Sequence, residues 1–166
     1  MSKVKFKIWD KTRNKILTSN CGAFLLTQEG NAVFHQNGNN PLEALIEQID
    51  YEVLMYTGLK DKNGKEIYEG DIIQCMVNDN SIKGEEAYVL GKEGFGLEHI
   101  KKVVNYKIEF WNSLYNYGYR VRNGKANFMI TQGALNTMNA KKIGNIYENP
   151  ELLEGDSEWH QERKRN

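Results

Sequence analysis

The chain is poor in proline, cysteine and histidine, with two, two and three of them in 166 residues. Its apolar runs are short, and none approaches the roughly 20 residues that a membrane-crossing helix needs. The N-terminus alternates lysines with apolar residues and lacks the unbroken apolar core of an export signal. Cys21 and Cys75 lie far apart in sequence, and a disulfide between them stays open. Without an export signal the expectation is two reduced, buried thiols in a cytoplasmic protein. His35, His99 and His160 are scattered, and none stands beside Ser, Cys or Asp at a recognised spacing. No His, Cys or carboxylate set has zinc-ligand spacing, so neither metal nor cofactor is expected. Glycines recur over 91–96, but no Gly-Lys-Ser/Thr ending follows, which favours a turn over a phosphate-cradling loop.

A net charge of one sign is also missing, since 22 basic and 22 acidic residues cancel. The cancellation hides blocks. Residues 1–40 carry a net +4, 41–100 a net −8, 101–147 a net +7 and 148–166 a net −3. Glu109 is the single acid of the basic block. Such blocks mark either complementary surfaces within or between subunits, or a site for an anionic partner. The first reading has Arg120 and Arg122 pairing with acids such as Glu66, Glu69 or Glu85. The second has them lining an open groove with Lys101, Lys102 and Lys107.

The most punctuated stretch is 56–73, with Gly58, Gly64 and Gly70 placed where a chain reverses. Asn63-Gly64 and Asn123-Gly124 both predict two-residue type I′ hairpin turns with positive φ at the glycines. Together with Glu69-Gly70-Asp71, the first of these reads as strand, turn, short strand, turn, strand. That is how a small antiparallel barrel begins.

Elsewhere the alternation is equally legible. Val4, Phe6 and Ile8 face one way and Lys3, Lys5 and Lys7 the other, which predicts an edge strand or a half-exposed sheet. Trp9 is expected to be buried. Residues 21–27 form an apolar run with which 32–34 can pair. After Asn40-Pro41, Leu42, Leu45, Ile46 and Ile49 predict one short helix. Val104, Tyr106, Ile108 and Phe110 share a face, as do Tyr115, Tyr117, Tyr119 and Val121. Ala126, Phe128 and Ile130 return on a partner strand, 131–140 is an ambiguous connector, and 142–147 closes the fold. Asn149-Pro150 starts one helical turn. The fold class is mainly β. Residues 1–50 form an N-terminal β lobe with the short helix, 51–153 the barrel, and 154–166 a charged flexible tail.

Candidate chemistry is sparse. Glu66, Glu69 and Asp71 are close enough in sequence to act as acid and base, yet solvated turn carboxylates are the commoner case. Trp111, Tyr115, Tyr117, Tyr119, Arg120, Arg122 and Lys125 combine aromatic rings with cations, as surfaces that stack bases and hold phosphates do. Alternation puts the tyrosines and arginines on opposite faces, so one strand cannot present both. Two roles stay open for the set: a polyanion or protein contact, and tyrosines turned to the core or to a subunit contact.

Three segments, 5–10, 56–73 and 143–153, resemble in order the YopX family of bacteriophage and prophage proteins. The resemblance implies a small SH3-like barrel encoded by a phage or prophage, acting in the bacterial cytoplasm, with no enzyme activity to carry over. It marks Gly58, Gly64, Gly70, Asp71, Gly144, Asn145, Tyr147, Asn149 and Pro150 as turn, cap and core residues. The expected function is non-enzymatic binding to a host or phage protein, with self-association as a homo-oligomer and no membrane partner. Countering host defence or regulation is among the roles this allows. The alternative is nucleic-acid or nucleotide binding through 101–147.

Overall fold

In the computed structural model, residues 4–17, 22–26, 32–36, 46–47, 50–78, 101–124 and 126–153 are described, with backbone alone for 22–26, 32–36 and 46–47. Three antiparallel sheets carry the described chain, and two of them meet around the stretch 56–73.

The first sheet runs in the order β2-β1-β6-β7. Its strands are β1 (Phe6–Asp10), β2 (Lys15–Leu17), β6 (Tyr51–Lys60) and β7 (Glu66–Tyr68). The turn between β1 and β2 is closed by Asp10, whose carboxylate accepts from the Arg13 N–H at 2.9 Å and its Nη1 at 3.0 Å. Ile8 pairs with Leu17 on one side and Val53 on the other, so β1 is an internal strand. The edge expectation is therefore corrected. The half-exposed alternative survives in Lys5, which is exposed, whereas Lys7 is half-buried and Trp9 is buried as expected. Lys3 lies outside the described residues.

The second sheet holds β3 (Gly22–Leu26), β4 (Ala32–Gln36) and β5 (Ile46–Glu47). The pairing of 32–34 with the run before it is as expected. The helix expected near 41–49 is corrected where the structure describes it. Ile46 pairs with His35 and Glu47 with Phe34, so these residues are strand, while Leu42, Leu45 and Ile49 lie outside the described residues. An apolar spacing of three and four was overridden by a neighbouring strand with free ladder groups.

The third sheet is a curled five-stranded half-barrel in the order β11-β10-β9-β8-β12. It comprises β8 (Asp71–Asn78), β9 (Lys101–Asn112), β10 (Tyr117–Asn123), β11 (Ala126–Met129) and β12 (Lys141–Asn145). The described helix, α1 (Gln132–Thr137), lies in the connector that read as ambiguous. Thr131 caps it by accepting from the Ala134 N–H at 3.1 Å, and Leu135 points into the core. Gln132 ties it to β6 through both backbone groups of Lys60, at 3.0 and 2.9 Å. The main core cluster is Ile67, Ile73, Cys75, Tyr106, Ile108, Val121, Ile130, Leu135 and Ala140. Each large member contributes about 1.5–3 kcal/mol by leaving water. The period-two pattern of β8 and β9 puts Ile73, Cys75, Tyr106 and Ile108 on one inner face. Cys75 is a free thiol there, pushed up to about 12 by burial, and Cys21 lies outside the described residues.

Both hairpin turns keep their left-handed glycines, Gly64 at φ +78° and Gly124 at +52°, but neither is centred on Asn-Gly. Asp61 N–H donates to the Lys65 carbonyl and Gly64 N–H to the Asp61 carbonyl, both at 2.9 Å, which leaves a three-residue loop over 62–64. Asn63 has no positive φ. The buried Asp61 carboxylate takes the N–H groups of Asn63, Lys65 and Lys142, and that grip selects the longer loop. In the second hairpin Asn123 pairs with Ala126, so Asn123 belongs to the strand and not to the turn. Asn123 instead donates through Nδ2 to the Asn105 carbonyl at 2.7 Å, which holds it on the strand.

Candidate functional site

Of the aromatic and basic residues singled out in the sequence, Trp111, Tyr115, Tyr117, Tyr119, Arg120 and Arg122 lie on the β9–β10 hairpin. Register pairs Phe110 with Tyr119, Trp111 with Gly118, Glu109 with Arg120, Ile108 with Val121 and Lys107 with Arg122. Alternation thus gives one face to Phe110, Tyr117 and Tyr119, and the other to Trp111, Arg120, Arg122, Glu109 and Lys107. The expected separation of tyrosines from arginines holds.

On the basic face the cations converge on Glu109. Arg120 pairs with it through Nε at 2.6 Å, Lys107 at 2.6 Å and Arg122 at 3.6 Å. The Arg120 guanidinium also lies 4.6 Å from the Trp111 ring centroid. Burial pushes the Glu109 carboxyl up, but Lys107 and Arg120 outweigh it and hold it below its ordinary value. The described acidic partner of both arginines is therefore Glu109, in place of the expected Glu66 or Glu69. Glu66 takes Lys5 and the Tyr68 hydroxyl, and Glu69 takes the Phe110 N–H at 3.3 Å. Glu85 and Lys125 lie outside the described residues. Lys101 and Lys102 sit at the far end of β9, opposite Asn78 and Val77, well away from the arginines.

The aromatic face differs. Tyr119 packs against the core cluster, whereas Tyr117 is 77% exposed and stands edge-on to Phe110 at 5.0 Å. Beyond it, Ser113 and Asn116 close the loop through the Ser113 N–H to the Asn116 carbonyl at 2.8 Å. That closure leaves Leu114 and Tyr115 at the tip, each 88% exposed. Tyr115 therefore does not share a strand face with Tyr117 and Tyr119, because it lies in the loop and the period is broken there. Phe110, Leu114 and Glu109 were not among the predicted site residues, and Glu69 was weighed only as an acid-base candidate or an arginine partner. The lone acid in a basic block was the available signal for Glu109.

The family-motif residues gather at the seam between the first and third sheets. Gly70, at φ +78°, donates to the Ile108 carbonyl and accepts from the Ile146 N–H, and its Cα faces the Tyr147 ring. Tyr147 stacks on Trp9 with centroids 4.9 Å apart. Gly144 packs under Asn149 and Leu152, and Asn145 accepts from the N–H groups of Tyr147 and Glu148. Pro150 opens the 3-10 turn Pro150–Leu153, as expected. Gly58, at φ +83°, sits in the irregular part of the β6–β7 pairing. Asp71 is buried and accepts from the Tyr68 N–H at 2.7 Å and Lys142 Nζ at 2.6 Å. Burial lifts its carboxyl, partly offset by these two donors. Lys7 is held below the ordinary lysine value by its own burial and by the neighbouring Lys142. Glu66, Glu69 and Asp71 are thus each held by different partners. No group of three or more metal-binding side chains occurs among the described residues, and no described helix is long and apolar enough to cross a membrane.

The family model described as YopX protein matches residues 5–154. No curated protein matches this chain. Among solved structures, the chain is similar to the crystal structure of protein EF1440 from Enterococcus faecalis. The match has 24% identity and a TM-score of 0.52, and it covers 92% of this chain and 99% of that one. At that identity the likeness concerns the fold, and it agrees with the mainly β architecture. With a match running through nearly all of its length, the chain belongs to the YopX family.

Proposed function

We propose that this protein is a non-enzymatic accessory factor of phage or prophage origin. It works in the bacterial cytoplasm by docking a host or phage protein on the end of its β9–β10 hairpin. The observation that carries the reading is the exposure of Leu114, Tyr115 and Tyr117, with Phe110, at one hairpin end. Contiguous exposed aromatic and aliphatic side chains are what interfaces bury, and Tyr is enriched among the residues that dominate binding energy. The strand order β11-β10-β9-β8-β12, with a short helix before the last strand, supports an SH3-like barrel as the scaffold. The same exposed tip is the surface through which a homo-oligomer would form.

The nucleic-acid reading draws less support. A phosphate would have to displace Glu109 from Arg120, Arg122 and Lys107 before it found those cations free.

The test is affinity capture from bacterial lysate followed by reconstitution with the purified partner. The triple variant Leu114→Ser, Tyr115→Ser, Tyr117→Ser should lose the partner while its melting curve and circular dichroism match wild type. Light scattering on the same pair reads self-association. Retention of the partner by the triple variant would remove the hairpin from the docking surface. An oligonucleotide shift at physiological salt should be absent.

A further inference from the structure

The two faces of the β9–β10 hairpin are sorted by charge as well as by ring content. On one face a single carboxylate gathers three cations. On the other, carboxylates stand beside rings. The Phe110 ring is met nearly at right angles by Tyr117, at 5.0 Å and 87°, and by Tyr119, at 5.3 Å and 70°. Rings set perpendicular to one another turn the negative face of one and the edge of another toward the same space. Glu69 reaches this cluster from the turn before β8, with Oε1 3.3 Å from the Phe110 N–H, and its charge acts on Tyr119 and Tyr147. Glu52, on β6, acts on Glu69 and on the Tyr147 hydroxyl.

The charges acting on Glu69 are Glu52 and Glu109, both negative, and burial and these two acids lift its carboxyl above the ordinary value. Of these acids, Glu109 is neutralised by its own cations on the opposite face. Among the described residues, the charges that act on Glu69 include no cation. A half-buried carboxylate beside exposed aromatic faces is the complement of a cation, for Coulomb attraction and the ring quadrupoles act in the same direction.

We propose that the Phe110–Tyr117–Tyr119 face, with Glu69 behind it, receives an arginine side chain from a basic segment of the partner protein. Arginine fits better than lysine, since its planar, weakly hydrated guanidinium stacks on rings and forks onto a carboxylate. This rests on the reading that the hairpin end docks a protein, and it names the chemistry of what docks. It also reverses the polarity expected of this segment: the partner is basic, although the segment itself carries the excess of lysine and arginine.

The test uses the full chain and fluorescently labelled acetyl-octapeptides rich in arginine, lysine or citrulline, at physiological ionic strength. Anisotropy should show the arginine peptide binding about tenfold more tightly than the citrulline peptide, which keeps the shape and loses the charge. Glu69→Gln and Phe110→Leu should each weaken the arginine peptide several-fold. Glu151→Gln, which removes an exposed acid from the 3-10 turn, should leave it unchanged. Binding of the citrulline peptide at equal strength, equal losses in Glu69→Gln and Glu151→Gln, or no arginine binding would each overturn the proposal. If the Leu114, Tyr115, Tyr117 triple variant still loses its captured partner in that event, the docking role stands and only the cation site falls.

Discussion

Nε of Arg120 donates to Oε1 of Glu109 across 2.6 Å, between residues directly opposite each other on neighbouring strands. Three cations of the basic block 101–147 are therefore gathered on its own single acid. Charge blocks counted along a sequence say little about which charges meet, because strand register makes neighbours of residues far apart in the chain. Contact between blocks does occur, but at the seam, where Lys142 meets Asp71 and its N–H meets Asp61.

Glu109→Gln should cost about 1.5–3 kcal/mol, as expected when charge-assisted hydrogen bonds are lost. It should also expose three uncompensated cations and increase retention on heparin. The pH dependence has a defined sign. A carboxyl held below its ordinary 4.5 contributes stability that is full above that value and is lost as pH falls through the folded-state value. The gap in melting temperature between wild type and Glu109→Gln should therefore narrow on acidification. A constant gap down to low pH would contradict it.

Gly70 and Gly64 share a φ of +78° but differ in what surrounds them. A Cβ on Gly70 would meet Tyr147 Cε2 at 2.7 Å, whereas one on Gly64 would meet nothing within 4 Å. Gly64→Ala should cost about 1–2 kcal/mol, the left-handed backbone penalty alone. Gly70→Ala adds overpacking of about 1–3 kcal/mol against a ring pinned by Trp9. Denaturant melts compare the two directly, and equal losses would show that Tyr147 yields at no cost.

Legibility in the sequence followed interaction range. Turn glycines, the β6–β7–β8 sequence and the alternation of β9 and β10 are local patterns, and they stand in the structure. The helix did not, since Gln132–Thr137 contains Gly133 and weak formers and buries Leu135 alone, so no amphipathic stripe announces it. The candidate site was half legible. Alternation separated tyrosines from arginines, but the pairing of both arginines with Glu109 needs the register. That register is set by the closure of 113–116, and the arrival of Glu69 beside Phe110 is a contact between residues 41 positions apart.

Lys7 offers a second pH test, in which the charge weakens the fold where that of Glu109 supports it. Its own burial and the nearby Lys142 hold it below the ordinary 10.5, while Asp71 and Glu148 pull the other way and its amine lies 4.4 Å from the Tyr68 ring centroid. The unfolded chain then binds more protons than the folded one between the lowered value and 10.5, so this group's contribution improves as pH rises. Lys7→Met should raise the melting temperature near neutral pH, and the advantage should shrink toward pH 10.5. A destabilised variant at neutral pH would sink the assignment.

Asp71 and Lys142 form the most buried ion pair at the seam, with side chains 4% and 18% exposed. Breaking such a pair from either side should be unequal. Asp71→Asn keeps an oxygen for the Tyr68 N–H and leaves an amine near the surface, whereas Lys142→Met leaves a carboxylate in the interior without its main counter-ion. A buried charge stripped of its partner costs about 3–5 kcal/mol, so Lys142→Met should be the worse of the two. The double variant removes both charges and should recover most of that loss, giving a coupling of about 1–3 kcal/mol. Lys7 also acts on Asp71, so the cycle belongs in a Lys7→Met background, where no second ammonium can step in. Chemical denaturation of the four proteins yields the coupling. Strict additivity would mean that the seam is held by packing around Gly70, Gly144 and Tyr147, with the ion pair contributing nothing specific.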